Sequence, residues 1–238
     1  MRVVFLLLSG VTALLSGAAS AVTLQGTRVI YDGSQPQVSV QVGNDTALPV
    51  LLQVWADAGD ASLLPEQAST PFMVDPPLQR LAPGGSKALL LRRVTSKGLP
   101  ADRESVYWLN VLEIPASQED AEERFQVNVH SRFKLLYRPP GLPGSPDEAP
   151  ALLRWTWQGS GTDRQLRVDN PTPWTVNLLA VSVAGQDFTT GTGIVPARGH
   201  AVLGPANAPD SVTHASDVTF EWIDDFSVER HANARVTP

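Results

Sequence analysis

The chain has 238 residues, 42% of them hydrophobic and 18% charged, with a formal net charge of -6. That acidic balance offers no electrostatic basis for binding nucleic acid, and the lack of any cysteine excludes a disulfide framework, thiolate catalysis and thiolate metal ligation together. Glycine (18) and proline (20) punctuate short runs of Val, Leu, Thr and aromatics, which is the rhythm of an all-β sandwich.

Met1-Arg2, an apolar run over 3–15 and Ala19-Ser20-Ala21 have the layout of a secretory signal peptide occupying 1–21. Its apolar middle is too short to span a bilayer. Cleavage would leave 217 residues starting at Val22, with a formal charge of -7 once Arg2 is lost. That length suits two domains of about 100 residues or one large β domain. No later stretch approaches the length of a membrane-spanning helix, so no membrane insertion of the mature chain is expected.

Strands are expected at 22–31, at 37–42 with Val38, Val40 and Val42 on one face, and, after a turn at Asn44-Asp45, at 49–55. A strand at 71–74 meets Asp75-Pro76-Pro77, where proline should end any ladder. Pro83-Gly84-Gly85-Ser86 turns the chain into 87–94, and 105–114 and 125–137 follow. About seven strands is the count of an immunoglobulin-like sandwich.

The 125–137 run carries the most information. Phe125, Val127 and Val129 alternate with Gln126, Asn128 and His130, and Ser131, Phe133, Leu135 and Tyr137 keep the parity. Arg132, Lys134 and Arg138 make the stretch cationic within an acidic chain. Two readings stand: a core strand whose polar face happens to be basic, or a strand offering both features to a partner.

Between 139 and 150 lie five prolines and two glycines with little to bury, which reads as a linker. It separates a first domain, 22–138, from a second, 151–238. Strands are expected in the second at 152–158, 165–169, 174–183, 199–203 and 218–223, with a stop at Asn170-Pro171-Thr172-Pro173. No amphipathic helical periodicity is present, and 118–124 is too short for more than a turn or two. No catalytic constellation emerges. His130, His200, His214 and His231 have no metal-site spacing, Gly191-Thr192-Gly193 lacks a phosphate-loop context, and the acids of 119–123 read as a solvated loop. The chain is therefore not expected to be an enzyme or to need a cofactor or metal.

Several phrases, in order, resemble the periplasmic chaperones of the chaperone-usher pilus pathway, the PapD-like family. They are Thr27-Arg28-Val29-Ile30-Tyr31, Pro71-Phe72-Met73-Val74-Asp75-Pro76-Pro77, Asp102-Arg103-Glu104-Ser105, Trp108-Leu109-Asn110 with Ile114-Pro115, and Phe133-Lys134-Leu135-Leu136-Tyr137-Arg138-Pro139. Asn170-Pro171-Thr172-Pro173 and Trp222-Ile223-Asp224-Asp225 add to them. The resemblance implies two immunoglobulin-like domains set at an angle around a cleft. It also implies a periplasmic chaperone that completes pilus subunits by donor-strand complementation and passes them to an outer-membrane usher.

By the same resemblance, Arg28 and Lys134 match the anchor for the subunit's C-terminal carboxylate, and Phe125, Val127 and Val129 match the residues that fill the subunit's groove. Glu104, Arg138 and Asp225 match an ion network between the domains, with Asp224 the alternative acid. Lys134 has the opposite parity to Val127 and Val129, so a bulge or strong twist is expected between them. The short loop between Pro115 and Phe125 resembles the short-loop branch, which mostly serves rod-like pili and tipped fibres. Two rival readings are a pilin or adhesin module of the same fold, and an exported enzyme on an immunoglobulin-like scaffold.

Overall fold

The computed structural model describes residues 22–24, 26–116, 127–159, 164–205 and 217–237. Nine strands build the first half: β1 (Val22–Leu24), β2 (Arg28–Asp32), β3 (Gln37–Asn44), β4 (Val50–Asp57), β5 (Phe72–Asp75), β6 (Leu78–Leu81), β7 (Ser86–Arg93), β8 (Ser105–Pro115) and β9 (Val129–Arg138). They form two sheets, one ordered β1-β3-β7-β5 and the other β2-β9-β8-β4-β6. Strict alternation decides which side chains meet between them. Val50, Leu52, Val54 and Ala56 of β4 face Val40 and Val42 of β3 and Leu89 and Leu91 of β7, all buried. Each fully buried aliphatic side chain contributes about 1.5–3 kcal/mol.

Two differences from the expected strands have local causes. The 22–31 run divides into β1 and β2, which join different sheets, and Gly26 at the crossing has φ +92°, a conformation that costs glycine little. Proline does end the β5 ladder at Asp75, but the chain then crosses to the other sheet and β6 pairs with β4, Leu52 opposite Gln79.

The second half contains β10 (Arg154–Gln158), β11 (Gln165–Asn170), β12 (Val176–Val183), β13 (Gln186–Thr189), β14 (Ile194–Val195), β15 (Gly199–Pro205), β16 (Asp217–Ile223) and β17 (Glu229–Thr237). Their order is β13-β15-β11-β10-β17-β16-β12-β14, with β13 also pairing to β12, around a core that includes Trp155, Val168, Val183 and Phe220. β13, β14 and β17 were not expected. β14 has two residues, and the core-facing positions of β17 include Ala232 and Ala234, too small to give an apolar alternation.

The 139–150 connector is better packed than its composition suggests. Leu142 lies against the second core, Ala149 is buried in it, and Trp174 Nε1 donates to the Pro143 carbonyl at 2.9 Å. A single 3₁₀ turn, Ala149–Leu152, follows. Both halves use one device to leave a strand. Asn44 accepts from the backbone N–H and hydroxyl of Thr46 and donates to the Leu48 carbonyl, while Asn170 does the same with Thr172 and Trp174.

Candidate functional site

β2 and β9 pair in parallel with Arg28 opposite Lys134, which sets two cations side by side. Arg28 is only 8% exposed, and its Nη1 donates to the Ile223 carbonyl of the second half at 3.0 Å. Among the described residues neither cation makes an ion pair. The acids nearby are engaged by Arg138 and Arg230. Burial, with the Arg28 charge adding to it, lowers the Lys134 pKa to about 8. Burial also lowers that of Arg28, against the more distant Asp225, Asp224 and Glu104. Gly193 approaches this point from the second half, since a Cβ there would lie 3.6 Å from Lys134 Nζ. The pair is thus a partly desolvated positive centre with no ion-pair partner among the described residues.

The edges of β9 are unequal. β8 pairs with it from Val129 to Tyr137, whereas β2 covers its other side only from Lys134 to Arg138. Among the described residues, no strand pairs with this second edge over 129–133, and that edge ends at the Arg28–Lys134 pair. Among the described residues β9 begins at Val129. Val127 and Asn128 lie outside it, and Phe125 is outside the described residues. Phe133, Leu135 and Tyr137 pack on the first domain's own core, so the core-strand reading holds for this part. On the same parity Val127 is 67% exposed and Val129 38%. The β8–β9 register is continuous, without the expected bulge, and Lys134 stays on the opposite face from Val129.

A second cluster joins the halves. Arg138 Nε meets Glu104 Oε1 at 2.6 Å and its Nη1 meets Asp225 Oδ2 at 2.9 Å, while its guanidinium lies 4.8 Å from the Trp174 ring centre. Glu104 Oε2 accepts the Thr175 N–H at 2.7 Å. The partners shift unequally. Burial dominates at Glu104 and raises its pKa despite Arg138 and the Thr175 N–H. At Arg138 burial opposes the charge, but the hydrogen bond to Asp225 and the Glu104 charge more than offset it and raise its pKa. Asp225, not Asp224, reaches Arg138. Asp224 is occupied within its own turn by the N–H groups of Phe226 and Val228 and by Arg230. That turn also crosses the boundary, as Ser227 Oγ accepts the Thr27 N–H at 3.2 Å.

Two family descriptions match this chain. Residues 21–143 match "Pili and flagellar-assembly chaperone, PapD N-terminal domain", and 148–233 match "Pili assembly chaperone PapD, C-terminal domain". The chain belongs to the PapD family of pili-assembly chaperones. Its relatives include the probable fimbrial chaperone YadV of Escherichia coli K12, 35% identical over 93% of this chain and 92% of that protein. The chaperone protein FimB/FhaD of Bordetella pertussis is 37% identical over 90% and 87%. Among solved structures, the Salmonella enterica SafA pilin in complex with the SafB chaperone matches with a TM-score of 0.75 and 29% identity, over 92% of this chain and 97% of the matched one.

Within this PapD-family chain, sequence reasoning overlooked Thr27 with Ser227, Thr175 as a backbone partner, Trp174 as the ring over Arg138, and Asp57 behind Arg132. Only the neighbouring phrases Trp108-Leu109-Asn110 and Asn170-Pro171-Thr172-Pro173 hinted at these contacts. Among the described residues one group, Glu221, Glu229 and His231, brings three possible metal donors within 4.8 Å. It is a cross-strand cluster of partly exposed side chains, formed because Glu221 pairs with His231 and Ile223 with Glu229.

Proposed function

We propose that this chain is a periplasmic chaperone that holds pilus subunits by lending them a strand and then delivers them to an outer-membrane usher. The observation carrying this reading is the free edge of β9 at 129–133, which runs into an unpaired, partly buried Arg28–Lys134 pair. An incoming strand on that edge continues the line of β2, which is parallel to β9. Its last residue then stops where Arg28 begins, and its terminal carboxylate reaches both cations through charge-assisted hydrogen bonds. Main-chain pairing gives affinity, and the carboxylate fixes register.

Val127 and Val129 lie on the parity that turns toward the interior of the added fold, where they replace core residues of an incomplete subunit, and Phe125, outside the described residues, shares that parity in the sequence. Lys134, on the other face, reaches the carboxylate at the incoming strand's end rather than its side chains, so the two tasks need no bulge between Val129 and Lys134. Residues 1–21 act as the export signal in this reading, and Glu104, Arg138 and Asp225 hold the two domains around the subunit. The pilin in the matched SafB complex supports the class of partner. Co-expression with the pilus gene cluster of the source organism tests it: an equimolar complex with a small β-rich subunit is expected from wild type and is lost in Lys134→Ala. Recovery of the chaperone without subunit, under conditions where the subunit is made, would contradict it.

A further inference from the structure

The outward face of the β4-β8-β9 sheet holds a polar lattice beside the subunit-binding edge. Asp57 and Asn110 are each only 1% exposed although their side chains lie on the face turned away from the core. Arg132 Nη2 donates to both Asp57 oxygens, at 2.8 and 2.7 Å, and Arg132 Nε donates to Asn110 Oδ1 at 3.1 Å. Asn110 Nδ2 donates to Asp57 Oδ2 at 2.6 Å, which turns its Oδ1 toward β9. His130 therefore donates from Nε2 to that oxygen, at 2.9 Å. Two aromatic rings lie against the lattice: Trp108 is 4.7 Å from the Arg132 guanidinium, and Trp55 is 5.1 Å from the His130 ring at 30°.

The location is what gives the lattice meaning. His130 and Arg132 belong to the part of β9 that is paired on one side only, and both are tied to residues on β8 and β4. A strand with a free edge loses order readily, and any disorder must be removed when a partner pairs with it. We propose that the Asp57–Asn110 lattice is a brace that holds residues 129–133 extended before the subunit arrives, making Asp57, Asn110, His130 and Arg132 positioning residues. This rests on the subunit-binding reading above.

The test compares wild type, Arg132→Gln and the double variant Asp57→Asn/Arg132→Gln, using the pilus subunit that copurifies with the wild-type chain. Arg132→Gln alone strands a buried carboxylate and lowers the melting temperature. The double variant removes both charges and recovers melting. The brace predicts that the double variant still exchanges its 129–133 amides faster in the free protein and holds subunit roughly ten- to a hundredfold more weakly. His130→Ala, which leaves the buried pair intact, moves both readouts the same way by less. If affinity and exchange return to wild type together with melting, the lattice is only structural and the proposal is overturned. A wild-type chain that holds no subunit instead removes the functional reading, and the brace falls with it.

Discussion

Lys134 illustrates a side chain kept at a cost. The folded protein holds its proton less readily than the unfolded chain does. Folded molecules therefore carry fewer protons between about pH 8 and the ordinary lysine value of 10.5, and stability rises with pH across that window. At pH 7 the ammonium is charged in both states and the burial penalty is fully present. Lys134→Met should therefore stabilise the free protein by on the order of 1–3 kcal/mol, read as a higher melting temperature, while abolishing subunit binding. Wild-type affinity for subunit should fall as pH rises through about 8, with proton uptake on binding above that pH detectable by calorimetry in buffers of different ionisation enthalpy. An affinity flat from pH 7 to 9.5 would separate Lys134 from the carboxylate. Arg28 differs, because its bond to the Ile223 carbonyl is internal. Arg28→Ala should cost about 1–3 kcal/mol of stability as well as binding, so the two anchor variants separate by melting.

Strand β9 changes role along its length. From Phe133 onward one face is this domain's own core, while Val127 and Val129 on the same parity remain exposed. Val127→Asp should leave folding and export intact yet weaken subunit binding by several kcal/mol, since it places a charge in a groove that needs an apolar side chain. Asn128→Asp, on the opposite parity, should cost far less, and pull-down of both variants with the subunit decides it. Equal retention by the two would end the face-specific account.

This strand was also the most legible in the sequence, because large alternating side chains and clustered cations are unusual together. β6, β13, β14 and β17 were not legible. They are short or built on small inward residues, and β6 forms through a crossover that the proline pair disguises. The anchor and the network were legible only through family phrases. Nothing local to Arg28 or Glu104 announces that chain segments more than seventy residues away complete their surroundings.

Between the domains, the role proposed for the Arg138 cluster is geometric. Burial outweighs pairing at Glu104 and raises its pKa, so at neutral pH its ionisation costs the folded state stability. That cost diminishes as pH falls through the folded pKa. Arg138→Ala leaves two acids without their partner and should lower stability by about 3–5 kcal/mol and broaden the solution scattering profile. Glu104→Gln should be milder in melting. Unchanged scattering and melting in Arg138→Ala would remove the cluster from any role in domain orientation.

The free edge of β9 is where the whole account meets a single observable, the amide exchange of residues 127–133 with and without bound subunit. If the edge receives a subunit strand, these amides become strongly protected in the complex, while those of β17, on the second domain, stay as they were. A stable complex in which 127–133 exchange as fast as in the free protein would contradict strand donation, whatever other surface held the subunit.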